Sequence, residues 1–227
     1  MTLKYISGGV TARTPGNHVF DFLDSQTQVR AQSSAYFTRK DDVWEPTSWS
    51  EYANLIDAAA KSLIALGLQK SDAVCILGFN RLEWVTMDLA AMKAGGMSAG
   101  IYQTCAPEEI AYILNHSEAP FIVCENAGYA DTVIQAIETC PSLKRIIIMD
   151  GSHSHPLAIT WDEFIAKGDS VPSEQVRERV DAIKDADIGG LIYTSGTTGP
   201  PKAVALSHGA IYSICDNANN FLGLMEG

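Results

Sequence analysis

The sequence lacks the features that define several classes of protein. None of its uncharged stretches reaches about 18 residues, the length that spans a bilayer, and residues 1–18 have no apolar core of the kind found in signal peptides. Its five cysteines include no C-x-x-C pair, the spacing of many zinc and redox sites. His153 and His155 have no second ligand cluster nearby, so we expect a surface loop there and not a metal site. We therefore expect a cytosolic chain whose cysteines mostly serve as small core residues.

Positive charge is also scarce. The chain has 16 lysines and arginines against 27 aspartates and glutamates, a net charge of −11. A surface of this sign disfavours nucleic acids and anionic membranes as partners. It does not exclude a nucleotide, because a local group of backbone amides binds phosphate whatever the net charge of the protein. With 46% hydrophobic and 19% charged residues, the composition is that of a globular protein.

Short apolar runs alternate with helical patterns along most of the chain. A helical period over residues 53–66, with Ser48 or Ser50 as N-cap and Gly67 as stop, predicts the first helix. The spacing of Thr160 and Glu163 is that of a capping box and predicts a short helix after Thr160. Apolar runs predict strands at 74–77, 98–102, 121–124, 145–149, 188–194 and 202–206, with helices at 81–93, 107–115, 131–138, 173–183 and 207–222. This alternation predicts an α/β fold with a largely parallel sheet flanked by helices, whereas the polar residues 1–46 are expected to form an irregular N-terminal segment.

The segment between residues 193 and 202 has the composition of a phosphate-binding loop. It reads Y-T-S-G-T-T-G-P-P-K and follows a predicted strand, so it lies where ligands bind in parallel sheets. Its glycines leave backbone amides uncovered, its hydroxyls add donors, and its lysine adds a positive charge. The Walker spacing G-x-x-x-x-G-K-[ST] is absent. A plain surface turn is the alternative interpretation of such a cluster.

The order of these ten residues resembles the signature phosphate loop of the adenylate-forming enzymes, Y-T-S-G-T-T-G-x-P-K. That superfamily includes acyl-CoA synthetases, the adenylation domains of peptide synthetases, and luciferases. The resemblance extends over about residues 45–222, and it implies that residues 47–227 form part of an AMP-binding domain whose C-terminal portion is absent. The chain departs from the family at Ala203, where glycine is usual, and at Ala210, where many relatives have asparagine.

Two further segments resemble acyl-CoA synthetases. Residues 94–102 are similar to the A-G-G-x-x-x-G-I-Y segment of long-chain and bubblegum-type enzymes, whereas amino-acid adenylation domains usually carry A-G-x-x-Y-x-P-x-D there. This difference favours a fatty acid as the substrate. Residues 78–84 are similar to the G-x-N-x-x-E-W segment, which we interpret as structural, with Asn80 capping a helix and Trp84 facing the core.

The resemblance implies the two-step reaction of a long-chain-fatty-acid–CoA ligase. The fatty-acid carboxylate attacks the α-phosphate of Mg²⁺-bound ATP, which gives an acyl-adenylate and pyrophosphate, and the thiol of coenzyme A then takes the acyl group and releases AMP. Lys202 would be the catalytic residue that neutralises the phosphates. The residues that would wrap the β- and γ-phosphates are Thr194, Ser195, Gly196, Thr197, Thr198 and Gly199. Family members often associate with membranes peripherally, a property that the residues of this chain do not indicate.

The family's other functional groups would lie after Gly227: a magnesium-binding glutamate, a ribose-binding aspartate, a hinge and a C-terminal lysine. We therefore expect the 227-residue chain to be a fragment that is inactive by itself. Two alternatives remain open at this point. One is an adenylating enzyme for an aryl or amino acid, and the other is a truncated, non-catalytic module that binds a nucleotide.

Overall fold

The computed structural model describes residues 18–194 and 200–222, and in these it contains nine strands and eight α-helices. The strands are β1 (Ser34–Lys40), β2 (Val43–Ser48), β3 (Ala73–Leu77), β4 (Met97–Ile101), β5 (Phe121–Asn126), β6 (Arg145–Asp150), β7 (Ala158–Thr160), β8 (Ile188–Thr194) and β9 (Lys202–Ser207). The helices are α1 (Val19–Arg30), α2 (Trp49–Ala65), α3 (Leu82–Lys93), α4 (Pro107–His116), α5 (Ala127–Ile134), α6 (Trp161–Lys167), α7 (Ser173–Asp181) and α8 (His208–Leu222).

Seven of these strands form one sheet in the order β7-β6-β5-β3-β4-β8-β9. All neighbouring pairs are parallel except β8 and β9, which form an antiparallel hairpin at one edge. The predicted α/β fold with a largely parallel sheet is therefore confirmed. The strand order reverses direction at β3, since β4 lies on one side of β3 and β5 on the other.

Helices cover both faces of the sheet, and each face has its own apolar core. The residues of β3 alternate between the two: Cys75 and Leu77 belong to one core cluster, and Val74 and Ile76 to the other. Every residue of β3 is buried, which explains why it reads as a continuous apolar run and not as an alternating one.

The described part of the N-terminal segment, residues 18–46, is largely regular, whereas an irregular segment was expected over residues 1–46. Of its described residues, 19–30 form α1, and β1 and β2 form an antiparallel hairpin. Tertiary contacts stabilise α1: it buries Phe20 and Leu23, and Phe22 stacks on Tyr212 of α8 at a ring-centroid distance of 5.0 Å. Helices of this length are marginal in isolation, so this tertiary contact outweighs the weak local signal.

Two helix starts differ from the predicted ones. Asn126 caps α5 by accepting hydrogen bonds from the amides of Gly128 and Tyr129, at 3.0 and 3.3 Å, so the helix begins at residue 127 and not at 131. Asn80 does not cap α3, because the N-cap position is occupied by Arg81, whose side chain makes no capping bond. Of the two predicted caps of α2, Ser48 is the one that occupies the N-cap position, and the cap at Thr160 is as predicted. Each forms a capping box with the glutamate three residues on.

The cysteines are all free thiols. Cys75, Cys124 and Cys140 lie in one core cluster, which confirms that most of the cysteines are small core residues. Burial raises the pKa of Cys75 to about 12 and also raises the pKa of Cys124, so neither thiol is a reactive thiolate at neutral pH.

None of the helices within residues 18–194 and 200–222 combines the length and the apolar character that crossing a bilayer requires.

Candidate functional site

The carboxyl ends of the central strands meet at one edge of the sheet. Residues 78–80 follow β3 and residues 102–103 follow β4, at the point where the strand order reverses. In doubly wound sheets, ligands bind in the crevice that such a reversal opens beyond the carboxyl ends of the strands. This edge is therefore the candidate site on grounds of topology alone.

The two described ends of the predicted phosphate loop lie opposite each other in the β8–β9 hairpin. Thr194 is paired with Lys202 in the strand register, and the Thr194 hydroxyl donates to the carbonyl oxygen of Lys202 at 3.4 Å. Both residues are exposed. Ser195, Gly196, Thr197, Thr198 and Gly199, which are predicted to bind phosphate, lie outside the described residues.

The residue before Thr194 anchors the hairpin in the core. Tyr193 is buried, and its hydroxyl lies 2.9 Å from Nδ1 of His116 at the end of α4. Burial is the main reason that the pKa of Tyr193 is raised to about 12, so its phenol stays neutral at physiological pH. One end of the signature segment is thus held by a specific contact between elements that are far apart in sequence.

A cavity of about 470 Å³ opens beside this edge. It lies between α3, the strands β4 and β8, and the start of α8, with Gly78, Asn80, Tyr102 and Gln103 near the carboxyl ends of the strands. Its size falls within the range of small-molecule pockets, and apolar side chains supply most of its wall. The cavity reaches Tyr193, the residue next to Thr194, so it adjoins the predicted phosphate loop.

One carboxyl group lies in the wall of this cavity. Asp88 of α3 accepts a hydrogen bond of 2.5 Å from the hydroxyl of Ser98 on β4. Burial raises the pKa of Asp88 above its ordinary value, an effect that the Ser98 hydrogen bond partly opposes. The negative charge of Asp88 in turn contributes, after burial, to raising the pKa of Tyr52 to about 12.

Polar contacts hold the rim of the crevice in shape. Glu125 at the end of β5 accepts from the amide of Phe79 at 2.7 Å, and the Gln103 amide donates to the carbonyl of Gly78 at 2.7 Å. A Cβ at Gly78 would lie 2.6 Å from Cβ of Glu125, so this close approach of β3 and β5 requires glycine. The rim is therefore a specific arrangement and not a loose set of loops.

Ser207 and His208 lie where β9 passes into α8. The Ser207 hydroxyl accepts from the amide of Ala210 at 3.2 Å, so Ser207 caps this helix. His208 is buried, and it adds to the lowering of the Asp187 pKa, for which the hydrogen bond from Lys70 is the main cause.

No group of three histidine, cysteine, aspartate or glutamate side chains in the described part of the chain has the arrangement of a metal site.

The fold is that of the adenylate-forming enzymes. The chain superposes on a putative long-chain fatty acid CoA ligase from Rhodopseudomonas palustris with a TM-score of 0.73 at 19% identity, over 90% of this chain and 48% of that one. It superposes on the anthranilate CoA ligase AuaEII with a TM-score of 0.68 at 23% identity, over 85% of this chain and 35% of that one.

The chain belongs to the family of AMP-binding enzymes, whose sequence profile matches residues 23–224. It is 38% identical over 176 residues to the long-chain-fatty-acid–CoA ligase ACSBG2 of Xenopus laevis, covering 77% of this chain and 24% of that protein. It is 35% identical over 167 residues to the long-chain-fatty-acid–CoA ligase FadD15 of Mycobacterium bovis, covering 74% and 27%. The predicted resemblance is confirmed, and the chain spans about a quarter of the length of these relatives.

Trp84 packs against one of the two cores, as predicted, and it also lines the cavity, which the sequence did not indicate. Asp88 and Ser98 were not predicted to be part of a site. The available signal was Asp88 itself, a carboxylate one helical turn after Trp84 on a helix that is otherwise largely apolar and buried.

Proposed function

We propose that this chain carries the phosphate-binding part of an enzyme that activates a long-chain fatty acid with ATP and transfers the acyl group to coenzyme A. The observation that carries the proposal is the pairing of Thr194 with Lys202 at the carboxyl edge of the sheet. This pairing sets a hydroxyl and an ammonium group at the two ends of a glycine-rich segment, beside a cavity that is large enough for a small molecule.

We assign each residue of the proposed site a role in binding ATP. The amides and hydroxyls of Thr194, Ser195, Gly196, Thr197, Thr198 and Gly199 would donate hydrogen bonds to the β- and γ-phosphates. Lys202 would neutralise the negative charge that develops on the pyrophosphate as it leaves. Fixed donors of this kind stabilise the transition state of phosphoryl chemistry, because they need no reorganisation during the reaction.

The fatty acid is proposed from two observations. The curated relatives named above are called long-chain-fatty-acid–CoA ligases, and the segment at residues 94–102 resembles those enzymes. The apolar wall of the cavity suits an acyl chain, because burial of apolar surface stabilises the complex by about 25 cal/mol per Å². Coenzyme A is proposed on the names of the relatives alone.

Binding of ATP to the 227-residue chain tests the phosphate site. We expect Lys202→Ala to weaken ATP binding roughly 10- to 100-fold, the loss of one charge-assisted contact of about 1.5–3 kcal/mol. The matched control is Lys144→Ala, which removes the same charge from an exposed position directly before β6. Lys144 lies at the amino end of that strand, whereas the proposed site lies at the carboxyl ends of the parallel strands. Calorimetric titration of the three proteins would contradict the proposal if Lys202→Ala and Lys144→Ala bound ATP equally well.

Exchange of labelled pyrophosphate into ATP tests which carboxylic acid is the substrate. In the protein as its gene encodes it, we expect exchange to depend on an added fatty acid and to exceed that with aryl or amino acids. Lys202→Ala should lower the exchange rate more than it weakens fatty-acid binding. Exchange with an aryl acid only would replace the fatty acid in the proposal, and unchanged exchange in Lys202→Ala would remove the role given to this lysine.

A further inference from the structure

The cavity exists because small residues form its floor. A Cβ at Gly100 of β4 would lie 3.3 Å from Cζ2 of Trp84, and a Cβ at Gly190 of β8 would lie 3.6 Å from Oγ of Ser98. Neither glycine has a positive φ, so no backbone conformation requires glycine at these positions. The absence of side chains at these two positions leaves space between the sheet and α3.

One line of side chains on α3 forms the facing wall. Trp84, Asp88 and Met92 all line the cavity and follow each other at intervals of four residues. Such residues lie above one another on a helix, about 6 Å apart. Trp84 is nearest to the carboxyl edge of the sheet and Met92 is farthest from it, since α3 runs back from that edge. Asp88 is thus half-way along the wall, between two apolar side chains.

Asp88 is half-buried, and protein groups satisfy only part of its hydrogen-bonding capacity. Among the described residues, Ser98 donates to one of its carboxylate oxygens. A carboxylate has about four acceptor positions, and a purely structural buried carboxylate is normally satisfied on both oxygens. Asp88 instead lines an open cavity, and an apolar residue at this position would avoid the cost of burying it.

We propose that this cavity binds an apolar chain that carries a hydroxyl group, and that Asp88 selects for that group by accepting its hydrogen bond. If the proposed function holds, the ligand is the acyl part of a hydroxylated fatty acid, with its carboxylate toward the phosphate loop. An apolar chain without a donor would cover the second oxygen of Asp88 without replacing its bonds to water, which opposes binding. Asp88 is thus a specificity-determining residue.

Two isomeric probes test the proposal on the unmodified 227-residue chain. 1-Octanol and methyl heptyl ether have the same atoms and similar apolar area, but only the alcohol donates a hydrogen bond. Trp84 lies in the cavity wall, so its fluorescence reports occupancy. We expect 1-octanol to bind about 10-fold or more tightly than the ether, as expected for one hydrogen bond to a charged group. Equal affinities in the wild-type protein would overturn the proposal.

Two variants test whether the preference for the alcohol arises at Asp88 in this cavity. Asp88→Leu keeps the approximate volume of the side chain and removes the acceptor, so this variant should bind the alcohol and the ether with about equal affinity. A preference that persists in this variant overturns the proposal. Trp84→Phe should abolish the fluorescence change, and a change that survives there means that the probe binds elsewhere, which also counts against the proposal. Circular dichroism checks that each variant is folded, and the wild-type comparison stands without any variant.

The outcome is independent of the ATP site. The probe titrations contain no ATP and no coenzyme A, so a missing phosphate site leaves their result unchanged. Conversely, equal binding of the alcohol and the ether would leave the ATP titration of Lys202→Ala unaffected. Each experiment can therefore contradict one proposal without contradicting the other.

Discussion

At the scale of single residues, Asp88 is the unusual feature of the molecule. A carboxyl group in an apolar wall is costly to ionise, because its apolar surroundings reduce the solvation of the charge by water. The hydroxyl of Ser98 compensates in part, and Tyr52 on α2 is the titratable group whose pKa responds to Asp88. With a pKa of about 12, Tyr52 remains neutral wherever Asp88 titrates, so the titration of Asp88 can be studied separately.

Replacing Asp88 by asparagine should make the stability of the protein less dependent on pH. The folded chain holds the Asp88 proton more tightly than the unfolded chain, since burial raises its pKa above 3.8. Asp88 therefore favours folding below that pH, and this contribution is lost as the pH rises through the pKa of the folded state. Between about pH 4 and about pH 7, the free energy of unfolding of the wild type should fall relative to that of Asp88→Asn. Urea unfolding of both proteins across this range measures the effect. A difference that is the same at every pH would show that folding does not shift this pKa.

At the scale of elements, the β1–β2 hairpin shows how a short turn signal organises a segment of weak local pattern. Its two connecting residues, Asp41 and Asp42, both have positive φ, at 47° and 64°. Two such residues form the turn that matches the twist of an antiparallel pair, and aspartate tolerates it better than most residues. Asp42 also forms an exposed ion pair of 2.7 Å with Arg39, which contributes little in water.

Substitutions at Asp42 separate the backbone effect from the charge effect. Asp42→Gly and Asp42→Ala both remove the carboxylate, but only glycine adopts the positive φ without strain. We expect the glycine variant to be more stable than the alanine variant by about 1 kcal/mol. Thermal or urea unfolding measures the difference. Equal stabilities would mean that the turn is not maintained in solution.

At the scale of the whole molecule, one sheet joins two apolar cores. Ile113 of α4 lies in the core of one face, while Trp49, Trp84 and Trp161 pack against the core of the other. The strands β3, β5 and β6 each contribute alternate residues to both cores, so neither core is complete without the same sheet. We infer that the two cores unfold together.

Removing apolar volume from one face should therefore be detected on the other. Ile113→Ala should cost about 2–5 kcal/mol, the usual range for such a deletion in a core. Tryptophan fluorescence reports the opposite face, and its urea midpoint should fall as far as the midpoint of far-UV circular dichroism. Glu108→Ala, on the exposed side of the same helix, is the control that should change neither. A fluorescence midpoint that stayed in place in Ile113→Ala would show that the cores unfold separately.

Local pattern was enough to predict most of the elements. The strands from β3 to β6 lie within one or two residues of their predicted positions, because a short apolar run bounded by polar residues is typical of a buried strand. Helix starts were predicted where a side chain caps in the usual way, as at Ser48 and Thr160. The start of α5 was missed because Asn126 ends a strand and caps a helix at once.

The amino-acid sequence by itself determined the α/β class, the family, and the position of the predicted phosphate loop after a strand, since all three depend on residues that are close together in the chain. The tertiary structure alone decided what lies beside that loop. Whether Gly190 faces Ser98, or Tyr193 meets His116, depends on the order and register of strands that are far apart in sequence. Burial of both faces sets that register. The cavity and its carboxyl group follow from it, which is why no local pattern indicated them.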